Sequence, residues 1–267
     1  MATHPPEERA RARARLRLTT VVVVVIVVVG AAAAIVVARY VTTPRTAPAP
    51  PATSITSSAT GAAGEENALA AQPMLQLPAQ AAQPQAMTTT TAGPAITVPA
   101  PSSTAGRWIP GGFPGTAEGA LGQLKALNET ALTAADPQVY ARGYRELAEP
   151  GAPDPGSTGL AALLRSMRSR AGLPATGSVA GLTATFQITH GQIKGTASGG
   201  RYAVVCVLGQ FSVGVNGQAV AAGVGDCQAM RWNGTEWRIA SGALAAAAPC
   251  AWPGSADAVK AGYRELN

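Results

Sequence analysis

The sequence predicts an α+β protein held at a membrane: an N-terminal transmembrane helix, a disordered tether, then helices packed on a curved antiparallel β-meander. Three observations predict it. Residues 19–38 form one uncharged apolar run, TTVVVVVIVVVGAAAAIVVA. Within residues 107–267 the apolar spacing changes from the helical period to strict alternation. Two Asn-Gly pairs, at 216–217 and 233–234, fall between alternating runs, the strongest short-range hairpin signal. The 267 residues thus divide into a cytoplasmic basic head (1–18), the transmembrane helix (19–38), a Pro/Thr/Ala-rich tether (39–106) and an extracytoplasmic domain (107–267). About 160 residues remain for the domain, enough for one real core.

The span follows from its length. A helix of roughly 20 residues reaches about 30 Å, the thickness of the hydrocarbon layer. Valine is a mediocre helix former in water, but lipid forces every backbone N–H and C=O to bond within the segment. Arg9, Arg11, Arg13, Arg15 and Arg17 crowd the leading flank, while the trailing flank offers Arg39 and Arg45. That asymmetry places the N-terminus inside and the domain outside the cytoplasm, with the bilayer as the first partner. The rival reading is a cleaved signal peptide, since Ala31–Ala34 supplies small residues, although the apolar run exceeds the usual h-region. Both readings export the remainder.

The net charge of +6 is concentrated in the head, and from Arg107 onward acidic and basic residues nearly balance. No basic stripe marks a nucleic-acid partner. The tether lacks large apolar side chains, so it is expected to stay disordered and to act as a spacer, or as a stretch carrying O-glycans. Its one apolar piece, Pro73–Pro78 (PMLQLP), is a candidate docking peptide.

Large apolar residues return at Trp108, Ile109 and Phe113. Thr116 is placed to N-cap a helix whose inner stripe is Ala120, Leu121, Leu124 and Leu127. Asp136-Pro137 opens a second, with Val139, Tyr140, Tyr144 and Leu147 inward. A third runs from about Thr158 to Ala171; Leu160, Leu163, Leu164 and Met167 form its inner side, and Arg165, Arg168 and Arg170 its solvated side. Leu182–His190, Arg201–Val215, Gln218–Trp232 and Thr235–Ala240 then read as strands, and Ser255 caps a short C-terminal helix. The word GYREL occurs twice, at 143–147 and 262–266, and is expected to end a helix in both places.

Two-residue turns set the register. Around Asn216-Gly217, Val215 faces Gln218, Val213 faces Val220, and Cys206 falls opposite Cys227 in a non-hydrogen-bonded pair. Around Asn233-Gly234, Met230 faces Trp237 and Arg231 faces Glu236. Val205, Val207, Phe211, Val213, Val220, Val224, Met230, Trp237 and Ile239 then share one apolar face. Cys206, Cys227, Arg231, Glu236 and Arg238 share the other. Gly209, Gly223 and Gly225 are candidate bulges. Outside the cytoplasm disulfides persist, and the predicted bridge is Cys206–Cys227, with Cys250 free or alternatively paired with Cys227.

The chemistry is sparse. His190 is the one histidine of the domain and nothing marks a nucleophile for it, so it reads first as a strand-end residue. GVGDC is a poor phosphate loop, and the cysteine spacing matches no zinc site. Asp226 falls on the apolar face beside Val207, either as a hydrogen-bonded structural residue or as the polar group of a ligand cavity. A candidate cavity comprises Asp226, Phe211, Met230, Trp237 and His190. No catalytic residue, cofactor or metal ligand is assigned, and the chain is expected not to be an enzyme.

Helices followed by a meander ending in a WNG–EWRI hairpin resemble the nuclear transport factor 2-like (cystatin-like) cone. The residues that carry the resemblance are GGFPGTAEGA (111–120), GDCQAMRW (225–232), EWRIASG (236–242) and WPGSADAVKAGYREL (252–266). With its Arg-rich head, single span and Pro/Thr tether, the whole layout looks like actinobacterial membrane proteins associated with conjugative elements. The resemblance implies helices over a concave sheet face. It also implies a scaffold or assembly role in a conjugative transfer or secretion apparatus, with other membrane or secretion-apparatus proteins, or further copies of this chain, as partners. The rival implication is a small-ligand-binding or sensor domain.

Overall fold

A computed structural model describes residues 61–104, 107–215 and 218–267. The head, the apolar run at 19–38, the first part of the tether and the Asn216-Gly217 corner lie outside the described residues. Among the described residues no helix is long and apolar enough to cross a membrane.

The fold is α+β. Its helices are α1 (Ala62–Ala71), α2 (Ala117–Ala131), α3 (Pro137–Leu147), α4 (Gly159–Arg170) and α5 (Ala256–Lys260). Its strands are β1 (Leu182–Ala197), β2 (Tyr202–Val215), β3 (Gln218–Trp232), β4 (Trp237–Ile239) and β5 (Arg264–Glu265). The strands form one antiparallel sheet in the order β4-β3-β2-β1-β5. The helix starts follow their caps. The side chains of Thr116, Asp136, Thr158 and Ser255 accept from the backbone N–H of Gly119, Gln138, Ala161 and Ala258.

The long hairpin keeps the expected register throughout: Val215 pairs with Gln218, Val213 with Val220 and Cys206 with Cys227. The two cysteines are bonded, with Cα atoms 4.0 Å apart, and Cys250 is free. Gly223 and Gly225 do not bulge. The carbonyls of Ala251 and Pro249 occupy the space where their Cβ atoms would sit, so glycine there permits close approach of the chain before α5. The bulges lie in β1, at Ile188/His190, directly opposite Gly209, and at Ile193/Gly195, and these bend the sheet.

The second corner differs from expectation. Trp232 pairs with Trp237, Arg231 with Arg238 and Met230 with Ile239, so the loop holds four residues rather than two. The Asn233 side chain explains the extra length: its Oδ1 accepts from the Thr235 N–H, the Thr235 hydroxyl and the Glu236 N–H. The slip is even, so Met230, Trp237 and Ile239 still share a face.

Two layers cover the sheet. On one face α2, α3 and α4 enclose Leu121, Leu124, Leu127, Tyr140, Tyr144, Val205, Val207, Met230 and Trp237. Arg168 belongs to this buried set rather than to solvent. Its guanidinium donates to the carbonyls of Ala135, Pro174 and Gly177, tying the long loop after α4 to the turn before α3.

The other face is also covered, which corrects the tether boundary. Residues 61–88 lie as a belt against Tyr202, Val204, Cys206, Leu208 and Ala229, together with residues 240–263, and Ile96 and Val98 further on pack into the helix-covered core. Composition argued against folding because the belt cannot form a core alone. It does not need to: it docks on an existing surface, burying small side chains such as Ala70, Ala81 and Ala82. Backbone bonds seal it, from Ala246 N to Ala70 O (2.9 Å), Thr88 N to Gly254 O (2.9 Å) and Ile96 N to Glu265 O (2.8 Å). Met74 and Leu77 of the PMLQLP peptide pack on their own domain, with Leu75 outward. The run YAVVCVL, apolar at successive positions, is the signature of a strand buried on both faces.

An ionic clamp holds α1. Arg231 donates from both terminal nitrogens to the Glu66 carboxylate (2.9 and 2.7 Å) and from Nε to Glu149 (3.2 Å). The repeated word GYREL ends differently in its two places. At 143–147 it completes α3. At 262–266 Gly262 takes φ 88°, which ends the helix, and Arg264–Glu265 becomes β5. Tyr144 and Tyr263 are buried in both settings.

Candidate functional site

The polar residues under the helical layer form one cluster. Asp226 sits on β3 opposite Val207, on the apolar face, as alternation requires. Asn128 lies on α2 one turn beyond Leu124 and donates from Nδ2 to Asp226 Oδ2 at 2.9 Å. Gln228, two residues along the same strand face, donates from Nε2 to Oδ1 and Oδ2 at 3.1 and 3.3 Å. All three are buried. Burial pushes the Asp226 carboxyl up to about 6, against the opposing pull of the Asn128 and Gln228 amides.

Tyr140 and Tyr144 belong to the same buried core from α3. They lie one turn apart, with ring centroids separated by 6.1 Å. Both are fully buried; the Thr158 side chain lies beside the Tyr140 hydroxyl, whereas the Tyr144 hydroxyl has no hydrogen-bond partner. Their phenols are held above the ordinary range, first by burial and second by the nearby Asp226 charge. Asn128 Oδ1 is likewise unpartnered. With Nδ2 turned to the carboxylate, Oδ1 must point away from it.

Asp226, Phe211, Met230 and Trp237 share the helix-covered face. Phe211 meets Phe186 edge-on at 6.0 Å, and Trp237 Nε1 donates to Pro114 O at 2.8 Å. These side chains are core. His190 is on the opposite face. Thr189 is the extra residue of a bulge, so the alternation that puts Phe186 and Ile188 inward reverses before His190. His190 pairs with Leu208 and Glu265, shares a hydrogen bond with the Thr189 hydroxyl (2.9 Å) and lies beside Gly254. Burial lowers its affinity for a proton, partly opposed by Glu265. Asp226 and His190 therefore cannot act together.

Sequence reasoning placed Tyr140 and Tyr144 inward without a chemical role and missed Asn128 and Gln228. A signal existed for each. Asn128 extends the inner stripe of α2, and Gln228 alternates in phase with Asp226 and Met230. On the other face the Cys250 thiol accepts from Gly225 N at 3.5 Å, and burial pushes its ionisation up. Among the described residues no group of three or more His, Cys, Asp or Glu side chains is arranged to hold a metal ion. Comparison of the chain with protein-family models, curated proteins and solved structures finds no match.

Proposed function

We propose that this chain is a membrane-anchored extracytoplasmic scaffold or assembly component, with a domain of the nuclear transport factor 2-like kind, acting in a conjugative transfer or secretion apparatus. The observation that carries the reading is the belt. The chain that follows the apolar run is not a free leash up to Arg107; from Gly61 it is bonded along the outer sheet face. A domain clamped to helix α1 of the belt through Glu66, Arg231 and Glu149 suits a part that must hold position in an assembly. The Cys206–Cys227 bridge supports an oxidising location.

The test is site-specific photocrosslinking in the native membrane from Arg145 and Arg170, exposed on the helical layer, and from Leu75 on the belt. The reading expects defined higher-order products, with a membrane or secretion-apparatus protein or with a second copy, from at least one position. Monomer alone from all three, with a small molecule co-purifying, overturns it. A second reading, an extracytoplasmic binding or sensor domain, draws on the unpartnered Tyr144 hydroxyl and Asn128 Oδ1 in the core.

A further inference from the structure

The two edges of the sheet are not alike. In the long hairpin Val215 pairs with Gln218, so Gln218, Val220, Ala222 and every second residue beyond them turn their N–H and C=O groups to β2. Ala219, Ala221, Gly223, Gly225, Cys227 and Ala229 turn theirs outward. Two bonds fix this phase: Ala229 O accepts from Ala240 N at 2.9 Å, and Gly225 N donates to Cys250 Sγ at 3.5 Å. β4 covers the strand only from Met230 to Trp232. Gly223 is buried, with the Ala251 carbonyl against it. Ala219 is exposed and Ala221 half-buried, and their outward groups have no backbone partner among the described residues.

The far edge, on β1, is guarded. Ile188 N points outward there and donates to the Glu129 carboxylate at 3.0 Å, and Leu182 N donates to Val179 O at 3.2 Å. Ala184 and Phe186, between them, are buried. A charged side chain set at an edge keeps sheets from pairing with one another, as do proline and bulges. β3 carries none of these around Ala219 and Ala221. From Val215 to Gly225 it has no charge and no proline, and its pairing with β2 shows no shift. The side chains agree. Val213 and Val220 lie opposite each other, half-buried, and Val215 is 38% exposed, so the apolar face runs on to this end of the sheet.

We propose that this end of β3 pairs antiparallel with β3 of a second copy about a two-fold axis at Val220, joining two five-stranded sheets edge to edge. Ala219 and Ala221 are the open positions, so Ala219 of each copy faces Ala221 of the other and exchanges hydrogen bonds with it. Val220 then faces Val220 in a non-hydrogen-bonded pair, and the apolar face continues from one copy to the next. The pairing rests on the membrane-anchored assembly reading and names this same chain as the partner. About four backbone bonds make a small contact, and chains held in one membrane meet at the raised effective concentration that such a contact needs.

The test is oxidative crosslinking of Val220→Cys in the full chain in its native membrane. A non-hydrogen-bonded pair brings Cα atoms to about 4.5 Å, within disulfide reach. The pairing expects a covalent dimer absent from the wild type, whose free Cys250 controls for stray oxidation. Thr185→Cys, exposed on β1, gives none. Adding Ala221→Pro removes an outward N–H that the fold does not use and abolishes the dimer; Ala219→Pro replaces it if the near-UV circular dichroism of the first variant departs from wild type. Monomer alone from Val220→Cys, an equal dimer from Thr185→Cys, a crosslink to a different protein, or a dimer that survives proline overturns the pairing. Crosslinks from Arg145, Arg170 or Leu75 without a dimer from Val220→Cys keep the assembly reading and remove only this edge as its contact.

Discussion

Glu66→Gln isolates the clamp that holds the belt. The substitution keeps the shape of the side chain and replaces a carboxylate facing the Arg231 guanidinium with an amide. Glu66 is almost wholly buried, whereas the Arg231 side chain is 30% exposed and retains Glu149. The loss therefore falls between an exposed pair, at under about 1 kcal/mol, and a fully buried one, at several. Two charge-assisted hydrogen bonds in this half-screened setting contribute about 2 kcal/mol. The belt makes its contacts at one surface, so the cost should appear as local opening. At 1.4 kcal/mol per tenfold, opening becomes about 30-fold more frequent. The readout is amide hydrogen exchange at Ala243 and Ala246, whose N–H groups bond to Asn67 Oδ1 and Ala70 O. Both should exchange about 30-fold faster, while Val205 in the centre of the sheet keeps its protection. The pH dependence supplies a second check. Arg231 holds the Glu66 carboxyl below its usual range, so its stabilisation is present above the unfolded value of about 4.3 and is lost as pH falls through the lower folded value. Wild type and variant should converge in acid. Equal acceleration at Val205, or none at Ala246, would refute the clamp as a local latch.

Three further outcomes follow from the geometry. Asp226 binds its proton more tightly when folded, so its contribution is fully present below about pH 4 and is lost as pH rises through about 6; urea denaturation across that window should show Asp226→Asn flatter than wild type by about 3 kcal/mol. Arg168→Met strands three carbonyls and should lower stability by about 3 kcal/mol, with Arg168→Lys recovering only part because an ammonium lacks the planar fork; equal values for Met and Lys would show that the stem alone matters. Replacing Cys206 and Cys227 together by alanine removes a link across a sequence separation of 21 and should cost about 3 kcal/mol in denaturant titrations under oxidising conditions.

Much of the sheet was legible. The two-residue corner after Val215 and strict alternation place Cys206 against Cys227 across nine further ladder positions without any tertiary information. The helix starts at Thr116, Asp136, Thr158 and Ser255 follow from cap chemistry within three residues. The second corner was misread by an even number of residues because Asn233 can seed either a two-residue turn or a longer loop closed by its own side chain. Of the candidate site, Asp226 was visible as a polar break in an apolar face, and its partners were not. Asn128 meets it only because α2 crosses β3, a contact spanning 98 positions in the chain.

The sequence by itself determined what short-range rules control: caps, strand alternation, the disulfide pairing and the apolar run with its arginine flank. Tertiary structure alone decided that the belt folds, that His190 turns away from Asp226, and that GYREL makes a helix once and a strand once. The reason is the range of the forces. Caps and pleats act over a few residues and leave a mark in the local pattern. Glu66 meets Arg231 across 165 positions, and nothing near Glu66 in the chain records the surface it docks on.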